Sequence, residues 1–298
     1  MHPVKRLEGT LLVVVPAIWG FGFAATRRTL VDMGPMWSNA LRFVLATLLL
    51  YPIARPRLAR LPRRRATQGL GLGLLLFLVF SLQTGGLVTT SVSRSSFLTG
   101  LYAVITPLLG VAFGRSLRPA HALAAALAVV GLWLLARPAA GGALALNRGD
   151  VLTLGCAAAC ALQILATDRV AAGADAIALN FWQMVGVTAA SLAAAPFIEA
   201  FRPPPATPGF VLSMGYLVVF SSLVAFTLQL QVQKKLPPTP AAMIFLLEAP
   251  FGALAGFWLT GDRLAPMQLA GCALMLGASA MAVLAGEPAP QPQAAPAP

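Results

Sequence analysis

A single carboxylate, Glu248, sits near the middle of the apolar run Met243-Ile-Phe-Leu-Leu-Glu-Ala-Pro-Phe-Gly-Ala-Leu-Ala-Gly256. It is one of nine acids, and the other eight fall at predicted loops, helix ends or the tail. A charge at the centre of a bilayer costs about 2.5–3.5 kcal/mol on insertion scales, so this group must face protein or water. Three roles fit it: binding a cationic or amino group on a substrate, exchanging a proton, or pairing structurally with Arg42 or an amide. Pro250 cannot donate to the Leu246 carbonyl, which disturbs the helical ladder beside the acid. Arg42 lies about two turns into another predicted helix. It either snorkels to headgroups or binds a carboxylate through its planar fork. Gln83, Gln163 and Gln183 are amides inside predicted spans, where helix–helix hydrogen bonding competes with lining a cavity. Trp19, Tyr102 and Trp182 either wall a site or anchor the chain at an interface.

Other chemistries find no support. Cys156, Cys160 and Cys272 make no disulfide framework, and the two histidines, His2 and His121, are too remote in sequence to complete a metal site with them. The cysteines read as small buried residues. Gly20-Phe-Gly-Phe-Ala-Ala25 superficially fits a dinucleotide fingerprint, but no strand precedes it. There is no phosphate loop and no Ser-His-acid set. The expectation is a protein with no cofactor, no metal and no enzymatic activity.

The elements that position these residues are membrane helices. The chain is 58% hydrophobic and 10% charged, with a mean hydropathy of +0.80. Soluble domains are about 25% charged, so lipid is the natural solvent for this surface. Ten segments are long and apolar enough to span: 9–27, 36–54, 68–88, 94–114, 119–137, 150–168, 176–197, 208–232, 238–259 and 264–285. The net charge of +12 does not point to nucleic acid, because the basic residues stand in short clusters between apolar runs. With the N-terminus in the cytoplasm, that side holds thirteen Lys and Arg against seven outside, six of them in the loop 55–65. The positive-inside rule therefore places both termini in the cytoplasm. Lys5-Arg6 before an apolar run resembles a secretory signal, but the first segment has a later counterpart and is expected to be retained. The Pro-rich tail 287–298 is expected to be disordered.

The counterpart belongs to an internal repeat. Phe23-Ala-Ala-Thr-Arg-Arg28 matches Ile164-Leu-Ala-Thr-Asp-Arg169 at an offset of 141, which also sets Asn39 on Asn180 and Arg42 on Gln183. Thr106-Pro-Leu-Leu-Gly110 matches Ala249-Pro-Phe-Gly-Ala253, and Gly114-Arg-Ser-Leu-Arg-Pro119 matches Gly261-Asp-Arg-Leu-Ala-Pro266. Two five-helix copies result, 1–140 and 141–286. An odd number of helices makes the second copy enter from the opposite face, and inverted repeats hold substrate at mid-membrane between their halves. Three glycine pairs, Gly69 and Gly73, Gly110 and Gly114, and Gly252 and Gly256, have the spacing that lets helices approach closely.

Trp19-Gly20, Leu41-Arg42-Phe43, Thr99-Gly-Leu-Tyr-Ala-Val-Ile-Thr-Pro107, Leu247-Glu248-Ala-Pro250 and Gly261-Asp262 before Leu-Ala-Pro-Met-Gln-Leu-Ala-Gly271 resemble the EamA repeats of the drug/metabolite transporter superfamily. The resemblance covers residues 9–285. It implies ten helices, cytoplasmic termini, a central cavity and export of a small metabolite or drug. The chain departs from it at Gly114-Arg115, where the family often carries Gly-Glu, and at Cys160-Ala161, which stands where the first copy has Trp19-Gly20.

The sequence thus predicts an all-α polytopic membrane protein of ten transmembrane helices in two inverted five-helix repeats. It would be a multi-pass protein of the plasma (inner) membrane whose partners are a small-molecule substrate and the lipid bilayer. The expected function is secondary transport of an amino acid-like or drug-like solute by alternating access. Glu248, Arg42, Gln83, Gln163, Gln183, Trp19, Tyr102 and Trp182 are the candidate substrate contacts. A non-transporting assembly or regulatory subunit is the competing reading; it requires a dry, fully packed interior, whereas transport requires a polar cavity that contains Glu248.

Overall fold

The computed structural model describes residues 3–115, 117–136, 146–261 and 265–285, without the side chains of 3–12 and 260. The tail 287–298 and the pair Asp262-Arg263 lie outside the described residues. Ten helices account for the rest: α1 (Pro3–Thr29), α2 (Pro35–Leu58), α3 (Arg63–Leu87), α4 (Val92–Ala112), α5 (Pro119–Ala136), α6 (Arg148–Ala171), α7 (Ala176–Ile198), α8 (Pro208–Gln233), α9 (Pro238–Leu259) and α10 (Pro266–Leu284). Eight are long and apolar enough to cross a membrane, and α5 supplies a shorter apolar helix over Pro119–Leu135. The chain is an all-α, multi-pass membrane protein.

Local chemistry sets the starts. Proline occupies the first turn of α2, α8, α9 and α10, where its missing N–H is no loss. Ser91, Asp175 and Thr207 cap α4, α7 and α8 by accepting from the backbone three residues on. Asn147 and Asp150 form a reciprocal capping box on α6. The Ser91 cap moves the start of α4 to Val92, two residues before the hydropathy limit at 94. Outward faces remain apolar, as at Phe197, Leu212 and Leu284, which is the surface a hydrocarbon solvent demands.

Three helices depart from regular geometry, all beside the centre. α4 tightens at Leu101, whose N–H bonds to Leu98 and whose carbonyl accepts from Val104. α9 tightens at Leu246–Leu247 before Glu248. The Leu246 carbonyl, orphaned by Pro250, accepts instead from Ala249 N–H at 3.0 Å. The prolyl disturbance therefore ends in a three-residue turn rather than a free carbonyl. α8 widens into a π-helical segment over Leu217–Val224. The Ser222 hydroxyl donates to the Leu217 carbonyl at 2.9 Å inside that segment.

Hydrogen bonds display the duplication directly. Asn39 on α2 donates to Phe80 O on α3 at 3.1 Å and accepts from Thr84 Oγ1 at 3.1 Å. Its match, Asn180 on α7, donates to Leu223 O at 3.3 Å and Thr227 Oγ1 at 2.9 Å on α8. The same carbonyl-plus-threonine pair, four residues apart, recurs in the second copy. Thr47 and Thr188, also matched at the 141 offset, meet each other at 3.0 Å, so the relating axis passes between α2 and α7. α1 packs on α9 and α6 on α4, while α5 and α10 pair across the far side of the bundle.

The glycine pairs divide. A methyl on Gly73 would lie 2.4 Å from the Gln183 carbonyl, one on Gly69 2.7 Å from Trp182 Cβ, and one on Gly252 2.7 Å from Ser96 Cβ, so these are packing positions. Gly114 is not. It has open space around it and φ of 80°, ending α4 in the left-handed conformation, as its match Gly261 ends α9 at φ 76°.

Candidate functional site

A small cavity of about 60 Å³ lies between the two halves, walled by α1, α2, α3 and α4 from the first and α6, α8 and α9 from the second. Six of the eight candidates line it: Trp19, Arg42, Gln83, Tyr102, Gln163 and Glu248. Gln183 and Trp182 do not. Gln183 is fully buried beside the Asn180 clasp, donating to Asn180 Oδ1 at 3.4 Å. Trp182 packs its Cβ over Gly69 and its ring edge-on to Phe181, with centroids 5.8 Å apart. Their places on α7 turn them into the α3–α7 seam, a direction helical spacing alone did not resolve.

Arg42 is 2% exposed, so it does not snorkel. Its Nε donates to Ser222 Oγ at 2.8 Å and its Nη2 to Ser221 Oγ at 2.9 Å. The guanidinium carbon also lies 4.4 Å from the Phe80 ring centre and 5.0 Å from that of Phe43. The widened turn of α8 is what offers two consecutive serine hydroxyls to one guanidinium. No carboxylate among the described residues comes within ion-pair distance of it.

Glu248 is 4% exposed and opens the second stretch of α9, just after the Leu246–Leu247 turn. Its Oε1 makes no hydrogen bond of regular geometry to a described residue, and its polar neighbour is the Tyr102 hydroxyl, close enough to interact with the carboxyl group. The proposed pairing of Glu248 with Arg42 is therefore absent. A cation and an acid, both removed from solvent, border one cavity without neutralising each other. Neither group has a countercharge among the described residues, and each is costly to hold in its charged form away from solvent.

Aromatic rings and amides complete the walls. Trp19 stands between Phe226, 5.3 Å away, and Phe245, 5.4 Å away, and its indole N–H points to Ser221 O at 3.4 Å. Gln163 serves both roles weighed for it: it lines the cavity, donates to Thr167 Oγ1 at 3.0 Å and accepts from Gln229 at 2.9 Å. Gln83 lines the cavity with no hydrogen bond to a described residue. Cys160 faces the cavity as well, with its sulfur 3.8 Å from that of Cys156. Thr26, Thr99, Ser221 and Gln229 line it too and were missed. Gln229 carried the same signal as the other intramembrane amides. The serine and threonine hydroxyls carried none, since they recur throughout membrane helices. Among the described residues no group of three His, Cys, Asp or Glu could hold a metal. His121 is buried, with Nε2 3.2 Å from Ala282 O, tying α5 to α10.

The profile of the EamA-like transporter family matches residues 7–137 and again residues 147–284. The chain belongs to the EamA-like transporter family. This transporter is 28% identical, over 275 residues, to a protein of Archaeoglobus fulgidus named as an uncharacterized transporter, with 92% of this chain and 85% of that one covered. A solved crystal structure superposes with a TM-score of 0.70 over 96% of this chain and 98% of the other. At 19% identity that likeness speaks for the fold. The duplication read from Asn39 and Asn180 is thus a family trait, and Arg42 and Glu248 border the cavity between its two halves.

Proposed function

We propose that this membrane transporter carries a small organic metabolite, amino acid-like or drug-like, across the plasma membrane by alternating access. The halves 1–140 and 141–286 rock about the cavity, and the six-arginine loop and both termini face the cytoplasm. Export follows from the resemblance of its motifs to exporting relatives. The observation that carries the reading is that Arg42 and Glu248 border one cavity without pairing. A solute bearing an anionic and a cationic group would satisfy both through charge-assisted hydrogen bonds, while Trp19, Phe226 and Phe245 accept its apolar body.

The test begins with a metabolite-wide uptake and efflux comparison in cells with and without the protein, which names the solute. Glu248→Gln is then expected to lower its flux at least about tenfold, the weight of one charge-assisted contact of about 1.5–3 kcal/mol, with membrane insertion unchanged. Flux equal to the parent's at every pH would remove Glu248 from both binding and proton exchange.

A further inference from the structure

At one face of the bundle the α2–α3 loop meets the α6–α7 loop, leaving a cleft of about 550 Å³ bordered by Arg57, Arg60, Arg65 and Asp175. The duplication places an equivalent cleft at the other face, about 300 Å³, where the α1–α2 and α7–α8 loops meet. Its charged members are Asp32, Glu199 and Arg202. Matching places in the two halves therefore carry opposite charge.

The acids of the second cleft are occupied: Asp32 by Arg28 at 2.6 Å, and Glu199 by the Trp37 N–H at 2.8 Å. In the first cleft the cations outnumber the acid. Asp175 already caps α7 by accepting from Ala178 N–H at 2.9 Å, and Arg57 Nε is 3.7 Å from its other oxygen. Arg65 donates to the Val170 and Ala172 carbonyls at the end of α6, at 2.7 and 2.8 Å. Arg60 is exposed and has no ion-pair partner among the described residues. Directly along α2 from this cleft, Tyr51 is 48% and Ile53 50% exposed, on the surface that hydrocarbon must cover.

We propose that this cleft is a headgroup site for an anionic phospholipid. Its phosphodiester is held by Arg57 and Arg60, and one acyl chain lies along Tyr51 and Ile53. Guanidinium groups match phosphate oxygens in a bidentate fashion, and basic clusters at a membrane edge recognise anionic headgroups. A free phosphate would use the same guanidiniums but would gain nothing from the apolar strip. An occupant here braces the end of the first half against the second, away from the central cavity.

The full-length protein, purified in a neutral detergent, is titrated with phosphatidylglycerol while its melting temperature is followed. The expected result is a saturable rise that phosphatidylcholine and glycerol 3-phosphate do not produce. Arg60→Gln should raise the half-saturating concentration about fivefold and the pair Arg57→Gln/Arg60→Gln about twenty-five-fold, at about one juxtamembrane contact each. Arg202→Gln, at the opposite cleft, should leave it unchanged. An equal rise with phosphatidylcholine overturns the charge requirement, and one with glycerol 3-phosphate overturns the lipid. Parental titration of Arg60→Gln, or a matching loss in Arg202→Gln, overturns the site. The exposed Arg60 side chain makes no hydrogen bond or ion pair to another described residue, so its variant is expected to fold as the parent does.

Discussion

Asn39 and Asn180 do the same work in the two halves, whereas Arg42 and Gln183, each three residues further along the same helices, do not. Both asparagines clasp a carbonyl and a threonine of the next helix, with matched partners four residues apart. Arg42 instead reaches into the other half, to Ser221 and Ser222, and borders the cavity. Gln183 folds back on Asn180. Duplicated chains keep what holds a unit together, because both copies need it. Here they diverge at a position that reaches the cavity in the first copy and turns into the α3–α7 seam in the second.

That contrast can be broken. Arg42→Met is expected to cut flux of the identified solute about 100-fold, the loss of roughly 2.7 kcal/mol of contact to an anionic group, while leaving the melting temperature equal or higher. The sign follows because a desolvated cation with no carboxylate partner costs stability. Gln183→Met should keep flux within about twofold, and a loss like that of Arg42→Met would erase the distinction. Next, Asn39→Ala and Asn180→Ala should each cost about 1 kcal/mol in unfolding from detergent micelles, matching to within about 0.5, as interhelical hydrogen bonds in membranes do. A cost confined to one copy would show that the clasp is not shared. The smallest effect is expected from Thr47→Val and Thr188→Val, about 0.6 kcal/mol each and non-additive together, because both remove one hydrogen bond across the axis.

Much of the fold was legible beforehand for a simple reason: in lipid, every backbone group must bond within its own helix, so apolar length alone marks the spans. The ten segments and the ten helices agree, with the shift at α4 traceable to the Ser91 cap. The Asn39–Asn180 match survived as a matched pair of contacts. The site was only partly legible. Residue type marked Glu248 and Arg42, since intramembrane charge is rare whatever surrounds it. It did not separate Gln163, which reaches the cavity, from Gln183, which does not; that depends on how far each helix is rotated about its axis. Nor did it reveal Ser221 and Ser222, which meet Arg42 through the widened turn of α8.

By itself, then, the order of residues determined that this chain lives in a membrane, that it is built twice over, and that an acid and a base placed within apolar runs require an explanation. Those facts are written in composition and repeat, which no packing can change. Only the tertiary arrangement decided that acid and base share a cavity and stay apart. Helices long in sequence and far apart along the chain had to be brought together and turned to particular angles, and the contacts that set those angles come from all the helices at once.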